Sequence, residues 1–163
     1  MTSMQLNRVS FEEFVGMVEP RLRYALVAAV GRDRGRDATA EALAYGWEHW
    51  GDVGKMANPV GYLYRVGRSR VRVRRHRIEF DLAAMHEVAG AGSSRIPEIE
   101  PGLPDALSHL SERQRVVVFL IYGMDWTRRD VADLLGISVN SVGTHLDRGL
   151  AKLRKRLGVS IHE

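Results

Sequence analysis

Thr127-Arg128-Arg129-Asp130-Val131-Ala132-Asp133-Leu134-Leu135-Gly136-Ile137-Ser138-Val139-Asn140-Ser141-Val142-Gly143-Thr144-His145 is the stretch that decides the fold. Thr127 is a good N-cap, and Asp130 places an acid in the first turn, where the helix dipole favours one. Val131, Leu134 and Leu135 make a short apolar face. Gly136 then offers a left-handed residue, Ile137 a buried plug and Ser138 the next N-cap. From Val139 to about Leu157, the apolar residues Val142, Leu146, Leu150, Leu153 and Leu157 recur at helical spacing. A short helix, a tight turn with Gly and a longer helix form the helix-turn-helix pattern.

The buried stripe fixes which side of the longer helix is free. Asn140, Ser141, Thr144, His145 and Arg148 lie opposite or beside it, in the half of a recognition helix that meets base edges. Thr127, Arg128 and Arg129 stand at a helix start, placed for phosphates. Lys152, Arg154, Lys155 and Arg156 extend the positive surface. A plain three-helix bundle with a polar outer face is the competing reading; the Gly136-Ile137-Ser138 turn favours nucleic acid. Gly143 and Gly149 lie inside this helix, each at a cost of roughly 1 kcal/mol relative to Ala.

Upstream, Ser111-Glu112-Arg113-Gln114 is a capping box that opens a helix with Val116, Val117, Phe119 and Leu120 inside, ending at Gly123. Before it lies an acidic joint. Residues 81–105 carry a net charge of −4, against +5 for residues 1–80 and +3 for residues 106–163. The joint holds Ala89-Gly90-Ala91-Gly92-Ser93-Ser94 and three prolines, Pro97, Pro101 and Pro104, which deny it a regular apolar face. Part of it, around Leu82 to Val88, has the composition for a helical turn.

The N-terminal block opens on a second capping box, Ser10-Phe11-Glu12-Glu13. Phe14, Val18, Leu22, Ala25, Leu26 and Ala29 follow at helical spacing. Gly31-Arg32-Asp33-Arg34-Gly35 breaks that helix, and a second runs from about Asp37 to Trp50, with Leu43, Trp47 and Trp50 on one stripe, stopped by Gly51 and Gly54. Asn58-Pro59 restarts the chain as N-cap and first helical residue. This third helix turns Val60, Leu63, Tyr64, Gly67 and Val71 inward. Seven arginines and no acid then fall between Arg65 and Arg77. Arg65, Arg68, Arg72 and Arg75 share one stripe. Such a run repels itself without a polyanion and gains affinity by counterion release with one; a solvated face is the plain alternative. Tyr62 and Tyr64 add stacking surfaces, or ordinary core.

The whole chain has 163 residues, 24 Lys+Arg, 20 Asp+Glu, six His and no Cys. That excludes disulfides, thiolate metal sites and a Cys nucleophile. No apolar run approaches the ~20 residues that cross a bilayer, and the N-terminus lacks a signal-peptide core. The histidines never pair at i, i+4, no Gly-rich phosphate loop ends in Lys-Ser/Thr, and no Gly-x-Ser-x-Gly elbow occurs. The expectation is a non-enzyme with no metal and no cofactor, cytoplasmic and off the membrane.

These residues together resemble the bacterial sigma factors of the extracytoplasmic-function group, over roughly residues 10–80 and 103–158. Ala106-Leu107-Ser108-His109-Leu110-Ser111-Glu112-Arg113-Gln114-Arg115 is similar to the opening of that family's region 4. Asp130 through Ser138, with Ser141-Val142 and Arg148, matches its helix-turn-helix. Tyr62-Leu63-Tyr64-Arg65-Val66 resembles the family's Trp-Leu-Tyr-Arg-Ile segment in region 2, and Asp37 through Trp47 aligns with its core-binding helix. The resemblance implies an all-α chain of two small helical domains joined by a flexible linker: a region 2-like domain over 1–80, an acidic linker over 81–103 and a region 4-like domain over 104–163.

It also implies function. A sigma factor directs core RNA polymerase to promoters and starts transcription. Thr127, Arg128, Arg129, Asn140, Ser141, Thr144, His145, Arg148 and Lys152 would hold the −35 element. Tyr62, Arg65, Arg68, Ser69, Arg72 and Arg75 would engage the −10 element. Glu41, Leu43, Ala44 and Trp47 would meet the clamp helices of the polymerase β′ subunit. An anti-sigma protein is a further partner of the family. The chain departs from the pattern in region 2: Ser69 stands where the family has Asn, Val73 where it has Asp, and Ala40, Leu43 and Ala44 where it has polar groups. These departures keep open a second expectation, a sigma-like DNA-binding regulator that does not act as a full sigma factor or is held by a partner protein.

Overall fold

The computed structural model describes residues 10–71 and 100–159. Arg72, Val73 and Arg75, the Leu82–Val88 turn and all of the linker except 100–103 lie outside these residues. α1 (Phe11–Val30) begins on Ser10, whose hydroxyl accepts from the Glu13 amide while the Glu13 carboxylate accepts from the Ser10 amide. The break after it is shorter than Gly31–Gly35. Only Gly31 interrupts, at φ 93°, and α2 runs Arg32–Glu48. Gly35 is inside α2 because the two helices cross there. A β-carbon on it would stand 2.5 Å from the Val27 Cα. The buried stripe of α2 is made of small residues, Gly35, Ala38, Thr39, Ala42 and Gly46. Leu43 is half-buried and Trp47 is 61% exposed, so the large residues do not form the inner face. Close helix approach needs small side chains at the contact. A single turn, α3 (Trp50–Val53), follows with Gly51 inside it and Gly54 at its end.

α4 (Pro59–Arg70) starts as expected, Asn58 Oδ1 accepting from the Gly61 amide at 3.0 Å. Leu63, Tyr64 and Gly67 are buried against α1 and α2; Val60 and Val71 are half-buried. The second half of the fold is α5 (Leu103–Ser108), α6 (Glu112–Val118), a π-helical turn (Phe119–Gly123), α7 (Arg128–Leu135) and α8 (Val139–Leu157). Among the described residues all regular structure is helical, and none of these helices is long and apolar enough to cross a membrane. The Ser111 capping box forms, its hydroxyl and the Gln114 side chain exchanging bonds with each other's backbone amides.

The two helical lobes pack on each other, α1 against α6 and α4 against α7. One apolar cluster runs through both, from Leu22, Leu26 and Leu63 to Val116, Val117, Leu120, Val131 and Val142. The last six residues of α1, Ala25 to Val30, are all buried. A helix segment that is apolar on every side requires cover on every side, and α6 supplies what α2 and α4 leave open. Burying this surface also buries a charge in the joint. Arg115, 3% exposed, donates from Nε to the Ala28 carbonyl at 2.6 Å, from Nη2 to the Ala29 carbonyl at 2.7 Å and from Nη1 to the Leu110 carbonyl at 3.2 Å. Burial lowers its pKa, and these carbonyl oxygens stand in for the water the guanidinium has lost.

Candidate nucleic-acid interface

The C-terminal site is built from α7, its turn and α8. The Thr127 hydroxyl accepts from the Asp130 amide at 3.1 Å, and Asp130 Oδ2 accepts from the Thr127 amide at 3.0 Å and hydroxyl at 2.7 Å. These bonds, the hydroxyl's first, hold the Asp130 carboxyl below its ordinary pKa. Gly136 has φ 65° and ψ 37°, the left-handed cap the sequence asks for, and the Ile137 amide returns to the Ala132 carbonyl at 3.1 Å. Ile137 itself is half-buried rather than a sealed plug. The Ser138 hydroxyl accepts from the Ser141 amide at 3.0 Å and so starts α8.

Val142, Leu146 and Leu153 face the core, which turns Asn140, Thr144, Arg148 and Lys152 to solvent along one stripe. Ser141 and His145 flank it, half-buried; the Ser141 hydroxyl lies 2.8 Å from that of Ser138. Lys152 is exposed, yet its Nζ donates to Gln114 Oε1 at 3.1 Å. Thr127, Arg128 and Arg129 are exposed at the start of α7. A β-carbon on Gly143 would lie 3.5 Å from Arg128 Nη1, so that guanidinium reaches across to α8. The nine residues expected at this site are therefore brought to one continuous surface.

The N-terminal residues are not left equally free. Arg65 is exposed, near Gly136 of the other lobe. Arg68 turns away from solvent into the joint between lobes. Its Nε sits 2.8 Å and 2.9 Å from the two Glu112 carboxylate oxygens, and Nη2 lies 2.7 Å from Oε1. The pairing raises the Arg68 pKa, the carboxylate hydrogen bonds outweighing the cost of burial. Ser69 is exposed, with its hydroxyl already donating to the Val66 carbonyl at 2.7 Å. Tyr62 is half-buried, its hydroxyl 3.2 Å from that of Tyr45, and the Tyr45 ring stacks on His49 at 4.1 Å. The shared hydrogen bond raises the Tyr45 pKa. Tyr64, in contrast, is core.

On α2, Glu41, Ala44 and Trp47 are exposed and Leu43 is half-buried, with Phe11 packing edge-on to Trp47 at 5.4 Å. Sequence reasoning missed the Tyr45–His49 stack, although their i, i+4 spacing puts both rings on one face. It missed Arg115 too, whose place directly before the apolar run at 116–120 marks an inward position.

Residues 102–153 match the family model described as sigma-70, region 4, which covers α5 through most of α8. Over 95% of its length the chain is 28% identical to 92% of the extracytoplasmic-function RNA polymerase sigma factor SigL of Mycobacterium tuberculosis strain Erdman, and equally to SigL of strains CDC 1551 and H37Rv. The chain resembles the extracytoplasmic-function sigma factors. Its fold also matches the sigma factor RpoE of Bartonella quintana, solved with the anti-sigma factor NepR. That likeness has a TM-score of 0.57 at 21% identity and covers 92% of this chain and 98% of RpoE. The α7–turn–α8 unit falls within the matched residues as far as Leu153.

Proposed function

We propose that the chain directs core RNA polymerase to particular promoters, with α8 reading the −35 duplex and the α4 lobe engaging the −10 element. The observation that carries this reading is the stripe Asn140, Thr144 and Arg148 on α8, free of the core and of the other lobe, beside the exposed start of α7. Arg148 reads base edges, and Arg128, Arg129 and Lys152 hold phosphates that set its register. On α4, Arg65 and Arg68 take backbone phosphates and Tyr62 offers a stacking face to an unpaired base.

The exposed Trp47, with Glu41, Leu43 and Ala44, is the surface for the β′ clamp helices. An indole this open is a good anchor for a partner's apolar pocket. The polar groups usual in the family are replaced here by Ala40, Leu43 and Ala44, so the contact is more apolar. An anti-sigma protein is a second partner, by analogy with the NepR-bound relative. The boundaries 1–80, 81–103 and 104–163 describe the two lobes and the segment that joins them.

The test is to mix the full chain with core polymerase, capture the complex and sequence the DNA it retains from a genomic library. Enrichment of two short motifs at a fixed separation supports the reading. DNA retained by the chain alone, with no association with core, favours the regulator instead.

A further inference from the structure

We propose that Asp147 is a specificity-determining residue of α8, its carboxylate accepting a hydrogen bond from the exocyclic amine of one cytosine in the −35 major groove and disfavouring the other bases there. The proposal rests on the promoter reading above and deepens it. α8 carries five Lys and Arg residues and a single acid, Asp147. That acid is exposed, and it shares the outward face with the proposed readers, three residues after Thr144 and seven after Asn140. A carboxylate on this face repels phosphate, so it costs affinity for DNA unless it gains a donor there.

The fold gives it no other role. Asp147 is the ninth residue of α8, too far from the N-terminus to gain from the positive pole of the helix, which acts within the first turn. Aspartate is also among the poorer residues for a helix interior. The positions from which a helix neutralises a charge, three and four residues away, hold Gly143, Thr144, Leu150 and Ala151, and none is a cation. Arg148, the next residue, points about 100° away around the helix. Arg128 comes over α8 one turn earlier, Nη1 3.5 Å from where a β-carbon on Gly143 would stand. Yet among the described residues no side chain hydrogen-bonds or ion-pairs with the Asp147 carboxylate.

An acid that stabilises nothing within the chain acts on what the helix binds. An ionised carboxylate only accepts. In the major groove it is repelled by guanine N7 and O6 and by thymine O4, and adenine sets the N7 acceptor beside its amine. Cytosine alone offers an amine with no acceptor of its own next to it. The same charge repels the phosphates of a duplex that presents no such amine. Because specificity is a difference of affinities, that repulsion adds to the preference.

The experiment uses the full chain with core polymerase. Parent, Asp147→Asn and Asp147→Ala are each used to select duplexes from a randomised library, and the retained DNA is sequenced. The parent should show a C·G column within the upstream motif. In Asp147→Asn that column should move to A·T, since a carboxamide matches adenine N6 and N7 together, while the other columns stay. In Asp147→Ala it should even out, with about tenfold loss of discrimination in competition binding. Neither substitution should lower the melting temperature, because the fold does not use the carboxylate. Columns identical in all three chains, or tighter binding to every duplex with the column unchanged, overturn the proposal and leave the promoter reading standing. A fall in melting temperature in both variants overturns it too, since the carboxylate would then serve the fold. A parent that enriches no motif with core polymerase overturns both.

Discussion

Gly149 lies against Val118 so closely that a β-carbon on it would stand 2.9 Å from the Val118 Cγ2. The glycine lets α8 settle onto α6. Two effects oppose each other in Gly149→Ala. Helix propensity favours Ala by roughly 1 kcal/mol, and overpacking against a short branched side chain costs about 1–3 kcal/mol. The second should win, lowering the urea midpoint. Gly143→Ala meets only ordinary contact, 3.5 Å from Arg128 Nη1, and should raise it. Equal shifts in the same direction would mean that α8 does not approach α6 as described.

Arg115→Met keeps an unbranched side chain as far as the Nε position and removes the donors to the Ala28, Ala29 and Leu110 carbonyls. Burial of the guanidinium works against the native interaction, but hydrogen bonds from a charged group contribute more than neutral ones. The net loss should be about 2–4 kcal/mol by chemical denaturation. A midpoint equal to the parent's would mean that water reaches those carbonyls in solution and the lobes are apart.

Leu146 is 2% exposed beneath the outward stripe of α8. Leu146→Ala should cost roughly 2–5 kcal/mol through the cavity it leaves. A melting curve identical to the parent's would show that the buried and free faces of α8 are assigned the wrong way round, and the DNA face with them.

Arg148→Ala should weaken binding to the selected −35 duplex and relax its sequence preference while leaving the melting curve unchanged. Lys152→Ala should weaken all duplexes alike and make the salt dependence shallower by about one unit at most. The Lys152 Nζ already has Gln114 as a partner, so its effect should be the smaller of the two. Competition binding against scrambled duplexes at several salt concentrations checks both.

Asp130 gives a pH signature. Its folded pKa lies below the ordinary carboxylate value because the Thr127 hydroxyl and amide bond the ionised form. The unfolded chain therefore binds more protons through the carboxylate range, and the stabilisation present above about pH 4 is lost as pH falls through the folded value. The stability gap between the parent and Asp130→Asn should be open at pH 7 and close in acid. A gap that stays constant would mean the cap does not depend on the charge.

Much of this was legible in the sequence because local chemistry decides it. Two capping boxes, the Thr127 N-cap and the left-handed Gly136 are set by residues within four positions of one another. The Val142–Leu146–Leu153 stripe told which face of α8 was free. What was not legible is set between segments far apart in the chain. A charged Arg68 near the start of a basic run reads as a DNA contact, and nothing nearby names Glu112 as its partner. Trp47 on the Leu43–Trp50 stripe reads as a partner anchor or as core, and only the small residues Ala38, Ala42 and Gly46, which bring the helices too close for an indole, decide against core. The run Ala25 to Val30 held the missing signal, since a helix apolar all round needs a second lobe against it.

The most direct measurement of the central claim is transcription in vitro from a fragmented genomic template, with purified core polymerase and this chain as the sole added specificity factor. The account predicts discrete transcripts whose start sites share two upstream motifs, absent with core alone and strongly reduced by Arg148→Ala. Transcripts no different from those of core alone, from a chain shown to be folded, would contradict it.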